Sequence, residues 1–252
     1  MPRIVVFDSG FGSLSIIKPI QKKIKSELIY FADQKNFPYG TKSVSDLRRI
    51  IKSTVYSLEK KFAPDLIVIG SNTPSLLLKK ITKPKIIGVF PPINIAVKKT
   101  KSNTIAILTT KSVVESNALK NFIRKKVPKK IEVIKINATP LVKLVESGKF
   151  IYDKKLCKKE IEKKLLDKII TNNVDVVTLS STHLPFLLPI LKQVFPEVTF
   201  LDPANIIANQ IAKQLKIKKS KRNSMKIFTS GNVNLFQRQL RQLGIKNAVK
   251  SL

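Results

Sequence analysis

The residues able to do chemistry here sit in five short polar segments, each directly after an apolar run. They are Asp8, Ser9, Gly10 and Gly12; Asp33 with Pro38, Tyr39, Gly40 and Thr41; Ser71, Asn72 and Thr73; Thr109 and Thr110; and Ser181, Thr182 and His183. Backbone N–H groups at the helix starts that follow, helped by Ser, Thr and Asn side chains, hold carboxylates without arginine. The same residue types are preferred helix N-caps, so each segment taken singly also reads as a cap. Several of them at the carboxyl ends of parallel strands favour a site for a small polar ligand. His183, the only histidine, stands two positions after Ser181. A Ser-His hydrolase would need a partner acid and a nucleophile elbow, and neither Ser71 nor Ser181 lies in G-x-S-x-G. Gly10-Phe11-Gly12 lacks the third glycine of a dinucleotide fingerprint because Ser15 stands there, and Gly40-Thr41-Lys42-Ser43 lacks the first glycine of a phosphate loop because Lys35 stands there.

The elements that must position these segments follow from the hydrophobic pattern. Strands are expected at Ile4–Phe7, Leu28–Phe31, Leu66–Ile69, Ile86–Val89, Ile105–Leu108, Ile131–Ile136, Val174–Leu179, Val198–Leu201 and Lys226–Thr229, with helices at Leu14–Ile24, Val44–Lys61, Val113–Lys125, Asp153–Thr171 and Ile206–Leu215. Strands alternating with helices imply an α/β fold with parallel sheets. The chain also echoes itself. Asp65–Ser75 resembles Asp175–Pro185, each reaching a serine six positions after its aspartate, and Ile4–Ser9 is answered by Ile105–Thr110. Two α/β halves follow, with a division in the basic, weakly patterned stretch 98–103 and a dense charge run, 216–224, expected as an exposed linker; a nucleic-acid tail is the alternative for that run.

Composition bounds the rest. The chain has 252 residues with 43% hydrophobic content, enough to bury cores and exclude disorder. Its formal net charge is +32, carried by 41 lysines and only seven arginines. Lysine spread over helix faces reads as solvated surface rather than as a base or phosphate reader, although the field attracts acidic metabolites and, weakly and nonspecifically, nucleic acid. The single cysteine, Cys157, makes neither an intramolecular disulfide nor a cysteine metal site, and no metal centre is expected. The first apolar run ends at Asp8, too short for a secretory core, and no run reaches membrane-spanning length, so a cytoplasmic protein without membrane contact is expected.

Read together, the polar segments resemble the glutamate racemase family within the aspartate/glutamate racemase superfamily. The carrying motifs are Val6–Gly12, Phe37–Ser43, Gly70–Thr73, Pro140–Gly148 and Ser180–Pro185, in the family's order across most of the chain, with Ile227–Gly231 resembling its ending. The resemblance implies two pseudo-symmetric three-layer α/β domains, here 1–97 plus 206–252 and 98–205, with the ligand site in the cleft between them. It further implies cofactor-free two-base racemisation, in which one thiol removes the Cα proton and another reprotonates the opposite face. The positions matching those thiols are Ser71 and Ser181. By the same matching, Asp8 assists position 71, and His183 with Glu146 assists position 181. Ser9, Pro38, Tyr39, Gly40, Asn72, Thr73 and Thr182, with Thr110 nearby, hold the carboxylates, and Asp8 the ammonium group.

A cysteine thiol starts near a pKa of about 8.5 and is readily lowered, whereas a serine hydroxyl is a far weaker acid. The expectation is therefore a racemase-like protein that binds a small acidic amino acid or dicarboxylate, with racemisation absent or very weak. Natural divergence and deliberate replacement of both thiols lead equally to that state. The ligand set departs from the family at Val113, where a second threonine is common, and at Pro91-Pro92, where a Glu-Pro pair is common. Two other readings remain: a different carbon-acid isomerase or decarboxylase using Asp8, His183 or Glu146, and a non-catalytic basic binding or regulatory protein. A homodimer is common in the family, and nothing in the sequence selects its face.

Overall fold

The computed structural model describes residues 1–78, 85–215 and 222–252. Of the basic run expected as a linker, 216–221 lies outside the described residues, and Ser224 opens a strand. In chain order the described strands are β1 (Arg3–Asp8), β2 (Glu27–Ala32), β3 (Leu66–Ile69), β4 (Ile86–Gly88), β5 (Thr104–Thr109), β6 (Glu132–Asn137), β7 (Val176–Leu179), β8 (Thr199–Leu201), β9 (Ser224–Thr229) and β10 (Val249–Ser251). They form two sheets, and the chain divides into two compact units, Met1–Val89 with Ala204–Leu252, and Phe90–Pro203. Among the described strands, every pair is parallel.

The first unit carries the strand order β10-β9-β2-β1-β3-β4. Central β1 reads Ile-Val-Val-Phe without alternation because both its faces are covered, as parallel sheets require. One face packs Val5, Phe7, Ile29, Phe31, Ile67 and Ile69 against Leu47, Ile51, Val55 and Leu58 of the helix Val44–Phe62. Their spacing of four, four and three residues makes that helix's apolar stripe. Ser43 caps its start by accepting from the Asp46 N–H at 3.1 Å, and Ala63, in the left-handed region at φ 41°, ends it. The opposite face, including Ile4, Val6, Leu28 and Tyr30, is equally buried. At the amino ends, Glu27 ties three strands together by accepting from Arg3 Nε at 2.7 Å and Lys226 Nζ at 2.6 Å. These hydrogen bonds, from Lys226 first and then Arg3, hold its carboxyl below the usual range.

The second unit has the order β6-β5-β7-β8, which repeats β2-β1-β3-β4 strand for strand. The repetition extends to single hydrogen bonds. Asp65 accepts from the Arg3 N–H at 2.7 Å, at the first residue of β1, and Asp175 from the Ser102 N–H at 2.9 Å, two residues ahead of β5. Gly70 N–H donates to the Phe7 carbonyl at 2.7 Å and Ser180 N–H to the Leu108 carbonyl at 2.8 Å. The sequence echoes are thus a structural duplication, in which Asp8 corresponds to Thr109, Ser71 to Ser181 and Thr73 to His183. Strands β9 and β10 are additions to the first sheet; β10, only three residues long, carries too short a pattern to be read in advance.

Two helices differ from the sequence reading. The segment expected as one helix over Val113–Lys125 is two, Lys111–Val114 and Asn117–Lys126, because Ser116 starts a new helix by accepting from the Leu119 N–H at 3.1 Å. The helix expected from Leu14 opens as a 3-10 turn, Gly12–Ile16, before Ile17–Lys23. Helix Ile93–Lys99 packs on β7 and so goes with the second unit. Among the described residues no helix is long and apolar enough to cross a membrane.

Candidate active site

In the first unit, β1 delivers Asp8 and Ser9 to the carboxyl edge of the sheet, both buried, with the Ser9 N–H donating to Asp8 Oδ1 at 2.7 Å. The neighbouring β3 delivers Ser71, which opens the short helix Asn72–Leu77. Asn72 is 3% exposed; its Nδ2 donates to the Val89 carbonyl at 3.1 Å, while Oδ1 is buried with no hydrogen-bond partner. An orphaned buried acceptor costs about 1–3 kcal/mol unless a donor reaches it. Thr73 is buried beside it. Pro38, Tyr39 and Gly40 follow β2 after a cis Phe37–Pro38 bond. Tyr39 is 2% exposed, and burial, then the Asp33 carboxylate, pushes its phenol well above the ordinary tyrosine range.

A close approach fixes where Ser71 begins. A Cβ on Gly70 would lie 2.4 Å from Ser13 Cβ and 2.8 Å from Ser13 Oγ, so only glycine lets β3 end against the 3-10 turn. Ser13 in turn faces Tyr30 at 3.3 Å, and the Tyr30 hydroxyl donates to the Gly10 carbonyl at 2.7 Å. A tyrosine inside an apolar strand is the signal for this buried polar chain, which the sequence reading passed over.

In the second unit, β7 delivers Ser181, Thr182 and His183, all buried. His183 Nε2 lies 2.7 Å from Glu146 Oε2, joining residues 37 positions apart, with the glutamate at the end of helix Thr139–Glu146. Burial and a carboxylate on one ring nitrogen fix the imidazole's orientation, as in general acid-base sites. Thr110 follows β5, its Oγ1 3.3 Å from Ser112 Oγ. Thr109, in the place corresponding to Asp8, is fully buried with an unpartnered Oγ1, and Thr178 and Ser180 hydroxyls pair at 2.9 Å. Thus Asp8, Ser9, Tyr39, Ser71, Asn72 and Thr73 lie on the first unit, and Thr110, Glu146, Ser181, Thr182 and His183 on the second. Each set stands at the carboxyl edge of its own sheet, where ligands of α/β folds bind. Cys157 is buried in helix Lys154–Thr171, and burial raises its thiol, against a nucleophilic role. Among the described residues no three His, Cys, Asp or Glu side chains form a group able to hold a metal.

Known proteins bear on these two sets of residues. No family model matches the chain. It is 32% identical over 221 residues to the glutamate racemase of Haemophilus ducreyi, spanning 83% of this chain and 80% of that protein. A glutamate racemase from Bacillus anthracis superposes with a TM-score of 0.86 at 24% identity, covering 100% of this chain and 97% of that one. The Escherichia coli glutamate racemase, solved with L-glutamate and the activator UDP-MurNAc-Ala, gives 0.83 at 24% identity, covering 100% and 98%.

Proposed function

Because the chain belongs to the glutamate racemase family, we propose that it binds a small acidic amino acid, glutamate first, and racemises it very slowly or not at all. The observation that supports this reading is the duplicated sheet edge, with Asp8, Ser9, Asn72 and Thr73 buried on one unit and Ser181, Thr182 and His183 on the other, while hydroxyls stand at 71 and 181. Matched to the family, those two positions are where thiols exchange the Cα proton. A serine hydroxyl supplies almost no alkoxide near neutral pH, and the Cα proton is itself only weakly acidic, so each half-reaction lacks its base. In this reading Asp8, and His183 with Glu146, assist such a base and do not replace it.

Recognition needs no thiol. Ser9, Tyr39, Gly40, Thr73, Thr110 and Thr182 offer hydroxyl and backbone donors to carboxylates, with Pro38 shaping the turn. Asp8 offers its carboxylate to the ammonium group. No cofactor enters this scheme. The test is incubation of the protein with each enantiomer of glutamate and aspartate in deuterated water, followed by proton NMR. Ligand lines should broaden while the Cα proton persists as in a heat-inactivated control. Cα exchange above that control overturns the loss of catalysis, and absence of broadening for all four ligands overturns the ligand assignment.

The contact between buried His183 and part-exposed Glu146 favours one second reading, acid-base chemistry on another carbon acid by isomerisation or decarboxylation. A substrate screen by proton NMR decides it, and the reading fails if no carbon acid exchanges or turns over.

A further inference from the structure

Asp33 has no role in the site described so far, yet its carboxylate is 3% exposed and heavily bonded. It accepts from the Tyr39 hydroxyl at 2.8 Å, from Asn36 Nδ2 at 2.9 Å on both oxygens, from Ser230 Oγ at 3.2 Å and from Thr54 Oγ1 at 3.4 Å. Among the described residues no lysine or arginine pairs with it. A carboxylate buried among neutral donors is costly, and such networks hold one arrangement of the groups that share them. Those groups come from the turn after β2, the Pro38–Tyr39–Gly40 segment, the helix Val44–Phe62 and the turn after β9.

The turn after β9 grips the same loop at further points. Ser230 Oγ accepts the Lys35 N–H at 3.1 Å, and Thr229 Oγ1 donates to Gln34 Oε1 at 2.9 Å. Gly231 comes so near that a Cβ there would lie 2.5 Å from Gln34 Oε1. The last stretch of chain therefore closes over the loop that carries Tyr39 without supplying a ligand-binding residue of its own.

We infer that Asp33 is a positioning residue: latched by Ser230, its carboxylate sets the Pro38–Tyr39–Gly40 segment to receive the ligand's carboxylate, and the Thr229–Gly231 turn acts on the ligand only through it. This rests on the binding reading proposed above. The experiment compares the full chain with Asp33→Asn, Ser230→Ala and the conservative Ser230→Thr, reading L-glutamate affinity by NMR titration, Gly40 and Thr41 amide signals without ligand, and thermal midpoint. Removing the charge that its donors face predicts affinity about tenfold weaker for Asp33→Asn, and losing the Ser230 bonds to Asp33 and to the Lys35 N–H predicts affinity about threefold weaker for Ser230→Ala. The Gly40 and Thr41 signals should move in both at nearly unchanged midpoint for Ser230→Ala, and Ser230→Thr should restore them. A wild-type chain that binds but loses no affinity in either variant overturns the inference. If the wild-type chain binds neither glutamate nor aspartate, the binding reading fails separately, and unmoved Gly40 and Thr41 signals then overturn the latch on their own. Should Asp33→Asn not fold, the two Ser230 variants carry the same comparison.

Discussion

Replacing Asp175 by asparagine probes how β7, the strand that delivers Ser181, Thr182 and His183, is anchored at its amino end. The carboxylate accepts from Thr100 Oγ1 at 2.7 Å, from the Lys101 N–H at 2.5 Å and from the Ser102 N–H at 2.9 Å. Burial pushes its pKa up, but the hydrogen bonds from Thr100, Lys101 and Ser102 outweigh that and leave it below the ordinary carboxylate value. Hydrogen bonds to charged groups contribute about 1.5–3 kcal/mol, and partial exposure reduces each here to about 1 kcal/mol. Asparagine can keep Oδ1 on the Lys101 and Ser102 N–H groups and turn Nδ2 to Thr100 Oγ1, which accepts, so the contacts persist but all three lose the charge that strengthens them. Asp175→Asn should therefore cost about 1–2 kcal/mol at pH 7. A carboxyl with a folded pKa below its unfolded value contributes stability above the unfolded value, roughly pH 4, and loses it as pH falls through the folded one. The difference between wild type and variant should then shrink as pH drops below about 4. With no tryptophan in the chain, urea unfolding followed by far-UV circular dichroism at pH 7 and pH 3 is the assay. A difference equal at both pH values, or below about 0.5 kcal/mol at pH 7, refutes the anchoring role and its electrostatic origin.

Other outcomes follow from the same geometry. Ser71→Cys with Ser181→Cys should create glutamate or aspartate racemisation, measured by Cα deuterium exchange; a silent double variant shows that more than the thiols is missing. Gly70→Ala should cost about 1–3 kcal/mol by overpacking against Ser13, read as a lowered urea midpoint, with Gly70→Ala/Ser13→Gly recovering part of it. Glu27→Gln should weaken the junction of β1, β2 and β9. Because Lys226 and Arg3 hold the Glu27 carboxyl below its usual range, that loss should be full at neutral pH and fade as pH falls through its folded value, measured as a difference in unfolding free energy.

Much of this protein is legible in one dimension because parallel strands buried on both faces must be written as unbroken apolar runs, and the loops that follow must be small and polar. Ile4–Phe7, Leu66–Ile69 and Ile105–Leu108 show this, and their repetition with Asp65 and Asp175 in register foretold the duplicated sheets. The polar segments at 8–12, 71–73 and 181–183 were legible for the same reason. What sequence could not supply were meetings between distant residues. Glu146 was paired with His183 only through the family resemblance; nothing in the local pattern says that its carboxylate reaches a histidine 37 positions later, since the match rests on where a helix end passes a strand end. Asp33 read equally well as a cap until the fold brought Ser230 and Thr54 to it. Helix Ile93–Lys99 carries an apolar stripe that would suit either sheet, and only packing on β7 assigns it. Local pattern determines which elements form because it needs only neighbours along the chain; which side chains share a proton or a buried carboxylate depends on how those elements pack, and that is decided in three dimensions.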